Sequence, residues 1–167
     1  MPKHMYEVYN LLGVVEINVA LAWALIESDG REPSGYADVQ EQGLKMFGPL
    51  VEEEEAPKYI NLFSYYVDKE KALTDESVDV TVPVILADIG EYGTPIIDGV
   101  HRMYKAYATG VETIPVHKLS AIETYCLMGE GRSLLFHNDG QTRNNSRIEE
   151  IKQLQKKLKP LKGAIAA

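Results

Sequence analysis

Cysteine is almost absent from this 167-residue chain. Cys126 stands alone, which excludes an intramolecular disulfide and a cysteine zinc cluster and fits a reducing compartment. Long apolar runs are missing too. Nothing approaches the ~18 residues a membrane-spanning helix needs, and the opening MPKHMYEVYNLL lacks the charged-then-apolar pattern of a secretory signal. The expectation is a cytoplasmic protein without a membrane partner. Basic side chains are scarce, 17 Lys+Arg against 25 Asp+Glu for a formal charge of −8. That balance argues against a protein that coats itself broadly with nucleic acid. No internal repeat and no long low-complexity segment interrupts the chain.

The hydrophobic share of 45% is ordinary for a globular protein, and the length suits about one domain with its own core. The charge is unevenly spread. Residues 1–142 carry 10 Lys+Arg against 23 Asp+Glu, whereas residues 143–167 carry 7 basic and 2 acidic side chains. The expected organisation is an acidic domain over 1–142 and a basic C-terminal helix or tail over 143–167.

Patterning predicts a strand around Val14–Val19, then a short helix or a second extended piece. A loop follows over 28–36, then a helix carrying Val39, Gly43, Leu44 and Phe47 that Gly48-Pro49 ends. The acidic run 52–55 reads as a solvated helix start, because adjacent carboxylates on a helix point in different directions and suit a metal poorly. Ile60, Phe63, Tyr66 and Val67 read as core positions of a further helix. Residues 82–87 and 94–97 read as a hairpin, and GVHRMYKAYATG as a helix closed by Gly110. VETIPVHKL is another strand, and SAIETYCLMGEG a helix with Ser120 as cap and Glu123 three residues on. Over 146–159, Ile148, Ile151, Leu154 and Leu158 recur at helical spacing. The sum is an α+β fold with a small mixed β-sheet flanked by helices. Its core is expected to include Val84, Ile85, Ile97, Met103, Ala106, Ile114 and Val116.

One stretch carries chemistry: Ile97-Asp98-Gly99-Val100-His101-Arg102, a strand end running into a helix start. Such a start leaves backbone N–H groups pointing outward beside the positive end of the helix dipole, a setting that attracts phosphate. Gly99, lacking a Cβ, lets an anion approach the backbone. Arg102 adds a planar fork suited to phosphate oxygens, and His101 a second donor. Asp98 can hold a Mg²⁺ that bridges phosphates, orient His101 or Arg102, or cap the helix. Read in isolation, the same residues make a capped helix with surface charges.

The run VPVILADIGEYGTPIIDGVHRMYKAYATGVETIPVHKL resembles the ParB/sulfiredoxin-like superfamily, with its strand, hairpin, D-G-x-H-R helix start, helix and E-T-I-P-V strand in that order. The likeness covers roughly residues 78–128, about a third of the chain. It extends more loosely upstream, where VVEINVALAWALI would be an opening strand. The resemblance implies a ParB/sulfiredoxin-like fold whose Gly99, Val100, His101 and Arg102 bind nucleotide phosphates. His101 and Arg102 match the family's phosphate-contacting pair. Val100 occupies the position of the sulfiredoxin catalytic cysteine, so sulfiredoxin-type repair is not expected. Cys126 reads as a small core residue. About 40 residues follow Met128, too few for both the DNA reader and the dimerisation domain of the chromosome-partitioning ParB proteins.

What the resemblance leaves is a stand-alone nucleotide-binding domain like plasmid- or phage-encoded members, with ATP or another NTP and Mg²⁺ as cofactors. In the enzyme reading it is a Mg²⁺-dependent NTPase, with DNA cleavage as a further activity. Asp98, His101 and Arg102 are then catalytic, Asp98 holds the metal, Lys105 reaches a phosphate, and Glu91 and Glu112 are weaker candidates for the carboxylate. In the alternative reading the nucleotide is only sensed. The protein then docks to DNA, a DNA–protein complex or another partner through the basic C-terminal helix.

Overall fold

Asn18 turns the chain from strand into helix. Its backbone is extended, and its Oδ1 accepts the Leu21 N–H at 3.0 Å, satisfying a helix-start donor. The computed structural model describes residues 8–11, 15–50, 67–90, 93–129 and 145–166. The acidic run 52–55, the positions Ile60, Phe63 and Tyr66, and Glu91 lie outside the described residues.

The architecture is mixed α+β. A four-stranded mixed sheet has the order β3-β6-β4-β5, formed by Gly35–Asp38 (β3), Val84–Ala87 (β4), Ile96–Asp98 (β5) and Thr113–Leu119 (β6). Contacts group the described residues of Met1–Glu32, Leu86–Ile97 and Lys118–Ala167 into one compact unit, and those of Pro33–Ile85 and Asp98–His117 into a second.

In the first unit, Val8–Leu11 (β1) and Val15–Asn18 (β2) pair antiparallel. Of the upstream run, Val15–Asn18 is a strand in a separate two-stranded sheet, and helix begins at Val19. Val19–Ser28 (α1) buries Val19, Ala20, Leu21, Ala22, Trp23, Leu25 and Ile26, nearly all round, as a central helix does. Ala121–Leu127 (α5) starts with a complete capping box in which Ser120 and Glu123 satisfy each other's backbone N–H.

Asn145–Ala166 (α6) packs on α1 and α5. It is longer than the 146–159 expected and runs through Pro160. That residue removes one internal N–H, while Leu161 and Ile165, both half-buried, extend the seam. Leu158 is fully buried, and Ile151 and Leu154 half-buried. Ile148 is 38% exposed, contrary to its expected place in that seam. At 3.6 residues per turn, a spacing of three drifts off the face defined by Ile151 and Leu158. Lys157 and Arg31 both pair with Asp29, and Arg31 also grips Glu123.

In the second unit, β3 pairs antiparallel with β6, Gly35 opposite Val116 and Asp38 opposite Thr113. Asp38 then caps Val39–Phe47 (α2) by accepting the Glu41 N–H. Asp68 caps Lys69–Thr74 (α3) in the same way. Both helices pack on Val100–Ala108 (α4). Gly43 of α2 lies flat on the Tyr107 ring, where a Cβ would fall 2.3 Å from Tyr107 Cγ. The Tyr107 hydroxyl donates to the Gly48 carbonyl at 2.8 Å, and Phe47 meets Tyr104 edge-on at 5.3 Å. The cap of α4 is Thr109, one residue before the glycine named for it. Gly110 takes the left-handed position that follows, φ 80°. Val84, Ile85, Ile97, Met103, Ala106, Ile114 and Val116 are all buried.

Candidate functional site

The 98–102 turn is built by one backbone requirement. Asp98 ends β5, Gly99 is the N-cap of α4 with φ 105° and ψ 19°, and Met103 N–H bonds back to the Gly99 carbonyl at 2.9 Å. Only glycine adopts that φ without strain. A Cβ at Gly99 would also lie 2.5 Å from Val84 Cγ1 and 2.9 Å from Arg102 Nη2. The glycine therefore lets the turn close onto β4. Because the cap is a glycine, it brings no side chain of its own to cap α4, and the residue before it brings the Asp98 carboxylate.

That carboxylate holds Arg102. Arg102 Nη2 donates to Asp98 Oδ2 at 3.1 Å and to the Pro83 carbonyl at 3.0 Å. The two side chains are only 17% and 15% exposed. Arg102 Nε is buried and has no hydrogen-bond partner, which makes it a strong donor held in reserve at a cost. His101 Nε2 accepts the Asp68 N–H at 3.2 Å, so the neutral ring carries its proton on Nδ1. Lys105 Nζ donates to the Val78 carbonyl at 2.8 Å. His101, Arg102 and Lys105 of α4 thus each bond the backbone of the segment 68–83.

No family model, curated protein or solved structure matches the chain.

Of the residues singled out from sequence, Asp98, Gly99, Val100, His101 and Arg102 form one continuous turn at the start of α4. Lys105 is one turn further on and is engaged with Val78. Glu112 is exposed, beyond the far end of a nine-residue helix about 13 Å long, so it does not join the turn.

Asp68, Val78, Asp79 and Pro83 were not anticipated. Asp79 is held below the usual carboxylate range first by the Thr81 hydroxyl, then by the Thr81 N–H, with Lys105 and Arg102 adding to the effect. The signal for that turn is the pair of Asp-x-Ser/Thr steps at Asp75–Ser77 and Asp79–Thr81.

A Mg²⁺ ion needs only one or two carboxylates when substrate phosphates and water complete its shell. Asp98 can supply one. Among the described residues no group of three or more His, Cys, Asp or Glu could hold a metal by itself.

Proposed function

We propose that this protein is a stand-alone nucleotide-binding protein of the ParB/sulfiredoxin-like kind, similar to plasmid- or phage-encoded members. The Gly99–Arg102 turn takes the phosphates of ATP or another NTP. The observation that carries this reading is a helix start and a guanidinium side by side. A glycine-started helix without a side-chain cap stands beside a part-buried guanidinium whose buried Nε has no partner. A phosphate oxygen suits both, because the first-turn N–H groups, the dipole and the guanidinium all favour an anion.

In this reading the chain's own residues position and neutralise, which is most of what phosphoryl transfer asks of a protein. Asp98 holds Arg102 in register and offers a carboxylate oxygen to Mg²⁺. His101, with its proton on Nδ1, is a donor beside the phosphates. Lys105 adds positive charge one turn away. Bound Mg²⁺ would neutralise phosphate charge. The activity proposed is Mg²⁺-dependent NTP hydrolysis, with DNA cleavage as a further activity.

A second reading is supported by a specific observation. His101, Arg102 and Lys105 are each bonded to backbone atoms of 68–83. That bonding suits a module which senses nucleotide through the packing of this segment and does not turn it over. Release of inorganic phosphate from ATP with Mg²⁺ by wild type and Asp98→Asn separates the two. Turnover in wild type that Asp98→Asn abolishes, with nucleotide binding kept, supports the enzyme. Binding without turnover in wild type supports the sensor.

A further inference from the structure

We infer that the outer face of α6 is a docking surface for the phosphate backbone of a nucleic acid, with Lys152, Lys156 and Lys159 making the contacts. These three side chains recur at i, i+4 and i+7 and are all exposed. They form one stripe, roughly opposite the seam of Ile151, Leu154, Leu158, Leu161 and Ile165 that is wholly or partly buried. The stripe spans about 10 Å of helix axis. Glu149 closes it at the N-terminal end. Lys157 of the same helix is used differently, paired with Asp29.

Charge gives the first argument for the partner. In a chain of net charge −8, residues 143–167 carry 7 basic and 2 acidic side chains. A polyanion is the complement of such an isolated basic stripe. The second argument separates nucleic acid from a lipid surface. An interfacial helix binds a bilayer by burying its apolar face there, and the apolar face of α6 is already spent on α1 and α5. What the Lys152–Lys156–Lys159 stripe presents outward is charge, with the exposed Ile148 one turn before it. Charge on a rigid helix gives backbone contacts without base readout, so the docking is sequence-independent.

The inference does not depend on the nucleotide site, and its test keeps the two apart. Fluorescence anisotropy of the full chain with a labelled duplex DNA is measured across a salt series. Three neutralised phosphates give a slope of log K against log salt of about −2.7, or an affinity loss of about 40-fold between about 50 and 200 mM salt. Lys152→Gln/Lys156→Gln/Lys159→Gln should remove that binding and flatten the slope. All three side chains are exposed, so helix content and melting temperature should be kept. Lys45→Gln, an exposed lysine of α2, should leave DNA binding within about twofold of wild type. ATP titration of the triple variant should match wild type.

The inference is overturned if wild type binds no duplex at about 50 mM salt, or if a folded triple variant binds as wild type does. It is equally overturned if vesicles of anionic lipid or a polyglutamate peptide bind the stripe and DNA does not.

Discussion

Gly99→Ala is the sharpest single perturbation of the turn, because two independent costs fall on it. Placing an L-residue at φ 105° costs about 1–2 kcal/mol through the Cβ–carbonyl contact. The new methyl would also meet Val84 Cγ1 at 2.5 Å and Val84 Cβ at 2.9 Å. Val84 is fully buried, so relief requires a shift in a packed strand, at about 1–3 kcal/mol. The reduced freedom of the unfolded chain returns about 0.4–1 kcal/mol. The expected net loss is about 2–4 kcal/mol, read from urea denaturation followed by helical circular dichroism.

Gly110→Ala is the matched control. Its φ is 80°, but nothing lies within 4 Å of the position a Cβ would take. It should therefore lose only the strain, about 1–2 kcal/mol before the unfolded-state return. In the Gly99→Ala background, Val84→Ala should restore part of the loss. A Gly99→Ala protein within about 0.5 kcal/mol of wild type, or no less stable than Gly110→Ala, would refute the close approach of this turn to β4.

Tyr107→Phe removes the buried bond to the Gly48 carbonyl and should cost about 1–2 kcal/mol, checked by the same denaturation. The Asp29–Arg31–Glu123–Lys157 cluster sets an acid limb. The Lys157 and Arg31 bonds hold Asp29 below its ordinary 3.8. At Glu123 burial pushes upward but is outweighed by the bonds to Arg31 and Ser120, leaving it below its ordinary 4.5. Folded values below unfolded ones mean stability that is complete above about pH 4.5 and lost as pH falls through the folded values. Arg31→Met should make melting temperature depend less on pH between about 5 and 3. On the proposed ParB/sulfiredoxin-like reading Val100 takes the place of the sulfiredoxin thiol, so reduction of a sulfinic peroxiredoxin should be undetectable in a coupled assay. Measurable repair would point back to Cys126.

The parts legible in the sequence were local ones. The Ser120–Glu123 capping box, the stop at Gly48 and the change from strand to helix at Gly99 each depend on residues within a few positions of one another, where pattern and capping chemistry act. The seven core residues of β4, β5, α4 and β6 were legible because strand and helix periods point one way there. What was not legible depends on distant backbone. Arg102 bonds the carbonyl of Pro83, 19 residues away, and the Tyr107 hydroxyl that of Gly48, 59 residues away. A carbonyl acceptor carries no side-chain signature, so nothing marks it in advance. For the same reason nothing marked Lys105, read as reaching a phosphate, as the donor to the Val78 carbonyl. The upstream run formed the expected strand and then helix, whereas the pairing of that strand with β1 depends on tertiary context.

The central claim, that the Gly99–Arg102 turn binds nucleotide phosphate, is tested most directly by calorimetric titration of wild type and Arg102→Ala with ATP and Mg²⁺. A charge-assisted hydrogen bond to phosphate contributes about 1.5–3 kcal/mol. The account therefore predicts saturable binding by wild type and a Kd about ten- to a hundred-fold higher for a folded Arg102→Ala. Absence of binding by wild type at millimolar ATP, or equal Kd values for the two proteins, would contradict it.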